Sequence, residues 1–448
     1  MGLYFEIKSE KSELIICSTY FFAIQVVEAG FLLAFGKLGD IHGFRRIFIA
    51  GFAVFTLGSL LCGLSNTIYH LIAFRVLQGI GGAALVAVAP AMVVVFLPAD
   101  KRGWAFGIIA TVVSLGIAAG PILGRFLTEY LSWHWIFFIN VPFGIAAVCA
   151  AYFLFPKDRA VHSTGKFDVA GSVLICAALT TLLYPLNQGL SLGWTSPAIL
   201  GLFVLSLILW ISFFVHERRC SDPLVDLTLF RNRNFNLGNS TGLLMMLSYA
   251  GAEFLLPFFF ENIHGYTPSV AGLLLAVPAV ALMVVGPAAG AFSDKYGSRA
   301  ITSIAALLAA ISFSLFSMFT MTTSLGFIIA ALILFGIAVG LFFPPNMSQI
   351  LTDGGGDGRS EGVVSSVMMT IRNTGSVLGV ALFSTIVVQV ILGLSPHAAD
   401  ATTGAIPPQI FVAGFQFAFV FGIILSIVTL ALSVSIVKRK AAILKDKT

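Results

Sequence analysis

Charge is what this 448-residue chain has least of: Asp, Glu, Lys and Arg make up 10% of it, where soluble proteins average about 25%. That deficit excludes a soluble globular domain and a disordered chain, both of which need charged residues to hold water. Cysteine is scarce too. Cys17, Cys62, Cys149, Cys176 and Cys220 show no C-x-x-C and no partner-histidine spacing, which excludes a disulfide scaffold; three of them sit in apolar segments and read as small core residues. No cleavable signal peptide is evident, because MGLYFEIKSEKSE is mixed in charge and has no apolar run. What fills the chain instead is apolar: 58% hydrophobic residues, 42 Phe and a mean hydropathy of +0.99. A soluble core could not hide that much apolar surface. The solvent for most of this protein is lipid.

A membrane-spanning helix takes roughly 20 mainly apolar residues. Windows of that size predict thirteen spans: 14–35, 47–65, 71–97, 104–125, 135–155, 169–187, 197–215, 237–260, 269–291, 300–320, 325–346, 362–392 and 413–436. The gap at 321–324 is the weakest boundary. The 25 Lys and Arg then sort themselves. Loops after odd-numbered spans hold Lys37, Arg45, Arg46, Lys101, Arg102, Lys157, Arg159, Lys166, Arg218, Arg219, Arg231, Arg233, Lys295, Arg299 and Arg359. The tail adds Lys438, Arg439, Lys440, Lys445 and Lys447; Arg75, Arg125 and Arg372 lie inside spans; Lys8 and Lys11 precede the first. None is left for the other loops, so the basic loops and the C-terminus are expected on the cytoplasmic side of the cell membrane.

The chain also repeats itself. Asp40-x-x-Gly43-x-Arg45-Arg46 follows the first span and Asp294-x-x-Gly297-x-Arg299 follows the ninth. Repeats of this kind mark transporter halves related by an axis along the membrane normal. The expected organisation is an N-terminal bundle of five spans at 1–155, two inserted spans and a linker at 156–236, and a C-terminal bundle of six spans with a basic tail at 237–448. By symmetry, a mate of the helix 237–260 is expected ahead of the first span. It would restore fourteen spans, and the chain reads as an N-terminally truncated form.

Three segments stand out for chemistry. In the loop GKLGDIHGFRR, Gly36, Gly39 and Gly43 permit turning and close approach, Asp40 can face a helix N-terminus, and Arg45 and Arg46 can pair with carboxylates or lipid phosphates. Arg75, Gln78, Gly79 and Gly82 share one helical face, and an intramembrane arginine faces either a bundle interior or the external interface. Gly116-x-x-x-Gly120-Pro121-x-x-Gly124 allows close helix contact and a kink.

Taken in order, these three segments resemble motifs of the major facilitator superfamily, the third resembling the antiporter motif of its drug:proton exporters. Trp133-His-Trp135-Ile-Phe-Phe-Ile-Asn140-Val-Pro142-Phe-Gly144 and the set Ser365, Arg372, Gly375 and Gly379 are similar to segments of the fourteen-span subfamily. The resemblance covers residues ~14–436. Two departures bear on coupling: the subfamily's acidic residue in the first span is absent, and Arg125 stands where its antiporter motif has a second glycine. The resemblance implies an all-α polytopic membrane fold of two pseudo-symmetric bundles plus two inserted helices. It implies export of hydrophobic or cationic small molecules in exchange for protons by alternating access.

An antiporter needs a carboxylate in a cavity, with a pKa that moves between states. The mid-span candidates are Glu28 and Glu253, whereas Glu129 and Glu261 at span ends read as solvated. Arg372 could hold a carboxylate or an anionic part of the cargo. The Met245-Met246, Met368-Met369 and Phe258-Phe259-Phe260 clusters read as lipid-facing filler or as lining of a malleable cavity. Gly354-Gly-Gly-Asp-Gly358 lacks the Lys-Ser/Thr of a phosphate loop, so no nucleotide is expected. No Ser/His/Asp set suggests an enzyme, no metal or cofactor is expected beyond the proton gradient as energy source, and no nucleic acid is an expected partner. The expected form is a monomer in the bilayer. Transport of one specific metabolite, and a transport-inactive truncated protein, remain open alternatives.

Overall fold

The computed structural model describes residues 28–156, 167–355, 361–394 and 408–437. Among them there is no strand. The first helix, α1, runs over 28–42. It is followed by α2 (Phe44–Gly63), α3 (Ile68–Phe96), α4 (Arg102–Tyr130), α5 (Trp135–Phe138) and α6 (Asn140–Leu154). The inserted pair is α7 (Val169–Leu192) and α8 (Pro197–Arg219); then come α9 (Arg233–Phe258), α10 (Pro268–Tyr296), α11 (Ser298–Ser317), α12 (Leu325–Gly354), α13 (Glu361–Leu394) and α14 (Pro408–Val434). Twelve helical segments, with α5 and α6 joined, are long and apolar enough to cross a membrane. The thirteenth expected span, 14–35, falls partly outside the described residues, and α1 is the part that is described.

The boundaries follow capping chemistry. Asp168, Ser196, Thr267 and Ser324 each accept a hydrogen bond from a backbone N–H of the first turn they precede, and Pro197 and Pro268 occupy the first helical position, where a missing N–H costs nothing. The weak boundary at 321–324 is a genuine break: Thr323 Oγ1 accepts from Thr320 N at 2.7 Å before Ser324 starts α12.

Packing is strongest in the second half, where phenylalanines interlock. Phe259 stacks on Phe415 with centroids 4.6 Å apart, and Phe415 meets Phe419 at 4.4 Å. Phe259, Phe260, Met245 and Met368 are fully buried, which corrects the lipid-facing expectation for these residues. Ring-on-ring contact between helices of one bundle outweighs what lipid tails offer a large flat side chain. In the inserted pair, Ser206 Oγ on α8 donates to Ala178 O on α7 at 3.1 Å. The Gly30 backbone of α1 rests against Cys176 of α7, and Ala29, Leu183 and Val377 join α1, α7 and α13 in one small cluster.

Candidate functional site

At the face carrying the basic loops, the two sequence repeats do the same thing twice. Asp40, at the end of α1, accepts hydrogen bonds from Gly362 N (2.9 Å) and Val363 N (3.0 Å) at the start of α13. Asp294, at the end of α10, accepts from Gly103 N (2.8 Å) and Trp104 N (3.0 Å) at the start of α4. Each aspartate of one half thus caps a helix of the other half, where orphan N–H groups and the positive end of the helix dipole favour a carboxylate. We refer to these two contacts as staples.

Glycine makes the approach possible. A Cβ on Gly362 would run into Gly36 O and crowd Asp40 Oδ2; a Cβ on Gly290 would run into Gly103 O. Gly43 and Gly297 take φ of 98° and 87° and start the next helix in each repeat, a turn that other residues resist. Gly39, one turn back, lies against Phe44 and Val88. Arg45 spans from α2 to the end of α6: it donates to Ala151 O at 3.4 Å and to Tyr152 O, with its guanidinium 5.2 Å from the Tyr152 ring. Arg46 follows it on α2. Arg299 and Lys295 line a cavity of about 370 Å³ beside Asp294.

Asp40 lies beyond the expected span, and its carboxyl is pushed up from 3.8 to about 7. Burial is the main cause; the two N–H donors and Lys37 pull the other way, and Glu361 adds to the rise. The stapled form therefore holds a proton that a separated, hydrated Asp40 would release, and its advantage is lost as pH rises through about 7. Lowering pH from about 7 to 3.8 is expected to raise the stapled population, read as the distance between spin labels at positions 42 and 361, which follows the α1–α13 contact, in a cysteine-free background. Asp40→Asn is expected to flatten that dependence.

Other sequence candidates sit elsewhere. Arg75 Nη1 donates to Gln78 Oε1 at 3.1 Å, Gln78 Nε2 donates to Ser59 Oγ at 2.6 Å, and the Arg75 guanidinium lies 4.4 Å from the Phe137 ring centroid. This network ties α3 to α2 and α5 inside the first half. The glycines of the antiporter-like stretch make no close contact: a Cβ on Gly116, Gly120 or Gly124 would meet nothing within 4 Å among the described residues. The close approach expected of α4 is made one end earlier, where Gly103 and Gly107 meet Gly290 and Gly286 of α10. The physical reason is that α4 is held to α10 over its first three turns, by the Asp294 staple and the bond from Thr111 Oγ1 to Met283 O at 2.9 Å. The side chains of Pro121 and Arg125 lie outside the described residues. Glu28 opens the described part of α1 and is half-buried.

Within the second half, Glu253 Oε1 accepts from Tyr249 Oη at 2.7 Å, one turn back on α9. The Tyr249 ring stacks on Phe335 at 5.8 Å and meets Phe343 edge-on at 6.2 Å. Phe343 in turn carries the Arg372 guanidinium over its face at 4.3 Å. A carboxylate from α9, two rings from α12 and a cation from α13 are thereby linked without a direct ion pair, through a hydroxyl and a cation–π contact. Such a set can take up a proton at Glu253 and present a ring-lined, positively charged surface to a ligand.

A family model described as Major Facilitator Superfamily matches residues 6–380. The chain belongs to the major facilitator superfamily. It is 34% identical over 367 residues to the riboflavin transporter RibZ of Clostridioides difficile (strain 630), covering 82% of this chain and 79% of that one. It is 30% identical over 397 residues to multidrug resistance protein 3 of Bacillus subtilis (strain 168), covering 85% and 76%. Against the tetracenomycin C resistance and export protein of Streptomyces glaucescens it is 32% identical over 369 residues, covering 80% and 68%. The crystal structure of the human organic anion transporter MFSD10 (TETRAN) superposes with a TM-score of 0.63 at 18% identity, covering 91% of this chain and 83% of that one, a likeness of fold. This major facilitator chain is a transporter of small molecules, not an enzyme.

Sequence reasoning missed Tyr249, Phe343 and the glycine pairs 103/107 and 286/290. Each pair has the four-residue spacing that drew attention to Gly116 and Gly120, and Tyr249 stands one turn before Glu253; those were the available signals.

Proposed function

We propose that this major facilitator chain exports hydrophobic or cationic small molecules in exchange for protons, by alternating access, as a monomer of the fourteen-span drug:proton antiporter type. Its basic loops and tail face the cytoplasm, in the cell membrane, and the proton gradient drives it without nucleotide. The stapled face is then the cytoplasmic one, closed, with the central site turned outward. The inserted pair α7–α8, lodged against α1, supports the fourteen-span reading, and the export and resistance named for two of its relatives support the cargo class.

The observation that carries the proposal is Glu253, a carboxylate inside a span with Tyr249 as its hydroxyl partner at 2.7 Å. Protonation there changes both charge and hydrogen bonding in a ring-lined site, which is what coupling requires. In inverted vesicles with an imposed proton gradient, Glu253→Gln is expected to bring dye efflux down about tenfold, to the rate without a gradient. Glu129→Gln, on an exposed end of α4, is expected to retain it. Equal loss in both, or no driven efflux in the parent chain, would overturn the assignment.

A second reading, export of one metabolite, rests on Arg372 over Phe343 beside the stacked Tyr249–Phe335 pair. A cation over a flat ring suits a planar ring compound bearing an anionic group, and the relative named as a riboflavin transporter fits that chemistry. Driven transport of riboflavin, unaffected by excess cationic dye, would favour it.

A further inference from the structure

Where α7 begins and α8 ends, three side chains of metal-ligand type converge. Asp168 precedes α7; His216 lies in the last turn of α8; Cys220 follows that helix, one turn beyond His216. One ligand atom from each lies within 4.8 Å of the other two. His216 Nε2 stands 3.0 and 2.9 Å from the two carboxylate oxygens of Asp168, and Cys220 is a free thiol. A fourth group points the same way. Glu217 is 4% exposed; its Oε2 accepts from Val225 N at 3.2 Å, but its Oε1 is buried with no hydrogen-bond partner. A Cβ placed on Gly171 would collide with Asp168 Oδ2 and Glu217 Oε1 together, so the orphaned oxygen flanks the Asp168 carboxylate. Burying a carboxylate oxygen without a partner is costly, and a cation in the cluster would remove that cost.

We propose that Asp168, His216 and Cys220 form a binding site for a divalent metal ion of the zinc class, clamping α7 to α8, with Glu217 Oε1 accepting from a water in the fourth position. The mix of one oxygen, one imidazole nitrogen and one thiolate suits zinc rather than magnesium or calcium, which prefer oxygen alone. A tetrahedral ion with arms of about 2.0 to 2.3 Å needs ligand atoms roughly 3.3 to 3.6 Å apart. The His216–Asp168 edge must therefore widen by a few tenths of an ångström, and the edges to Cys220 Sγ close to the same length. The end of α8 is the negative pole of its dipole, which favours a cation there. Binding draws the proton from Cys220, so one proton is released to solvent as the metal–sulfur bond forms. His216 in the last turn of α8 and Cys220 just past it look unremarkable by themselves; only the approach of α7 supplies the third ligand.

The test uses the full chain in detergent, stripped with a chelator and titrated with Co²⁺. One saturable equivalent with a thiolate-to-cobalt charge-transfer band is expected, displaced by Zn²⁺. Cys220→Ser is expected to lose the band and His216→Gln to weaken binding at least tenfold, while Cys149→Ser, on α6, leaves both unchanged. Asp168→Asn separates clamp from cap, because asparagine still accepts from Gly171 N. Zn²⁺ is expected to raise the Tm of the parent chain and not of Asp168→Asn. No saturable equivalent, the same band in Cys220→Ser, or an equal Zn²⁺-induced rise in Asp168→Asn would overturn the site.

Discussion

Gly290→Leu is expected to eliminate the stapled form while leaving the bundle folded. At Gly290 the α10 backbone lies directly on the α4 backbone: an added Cβ would strike Gly103 O, with Gly103 C and Trp104 N close behind. Ordinary overpacking costs about 1–3 kcal/mol because side chains can shift, but here the obstacle is main chain at the first turn of α4. The helices must part, and parting them also pulls Asp294 from the amides of Gly103 and Trp104. Both losses fall on the stapled form alone, so its population is expected to drop by more than about a hundredfold. The label distance between positions 101 and 300 reports it. Gly116→Leu and Gly120→Leu are the controls. Nothing described lies within 4 Å of where their Cβ atoms would stand, so a shift within about twofold is expected, as for exposed positions. If the controls behaved like Gly290→Leu, the open face of α4 would have to pack in the stapled form.

That contrast shows how far the sequence could be read. Spans were legible because lipid imposes one rule on every window of about 20 residues; the caps that set where helices begin, such as Asp168 and Ser324, came only with the structure. The repeat of Asp40 in Asp294 was legible as well, since aspartate and glycine at fixed spacing are visible in letters. What each aspartate would hold was not. Its partners are backbone amides at Gly362, Val363, Gly103 and Trp104, and every residue but proline offers one. Likewise, four-residue glycine spacing occurs at 103/107, 116/120 and 286/290, and only tertiary placement decides which pairs touch. Glu253 could be chosen as a mid-span acid, yet its link to Arg372 passes through Phe343, one of 42 phenylalanines. Most of the others near it are packing, as Phe259 and Phe415 are.

Removing both staples is expected to have the largest effect on the resting conformation. In Asp40→Ala the amides of Gly362 and Val363 lose their acceptor while still facing α1; in Asp294→Ala those of Gly103 and Trp104 do. A buried donor left unsatisfied costs about 1–3 kcal/mol. The Asp40 staple serves two buried amides, so Asp40→Ala is expected to lower the stapled-to-separated ratio at least about thirtyfold. The Asp294 bonds are part-buried and exposed, so Asp294→Ala is expected to lower it less, about tenfold. Water satisfies these amides once the halves part, so the penalty is confined to one state. The staples join different helix pairs, α1 with α13 and α10 with α4, and share no side chain. Their contributions are therefore expected to add in free energy, giving roughly a three-hundredfold shift in the double variant. The distance between labels at 101 and 300 follows the α4–α10 contact; a second pair at His42 and Glu361 follows the other. Additive shifts in both pairs would mean that the two halves part as rigid bodies about one axis. If Asp40→Ala moved only the pair at 42 and 361, the face would open one side at a time, and the repeated motif would be two separate latches.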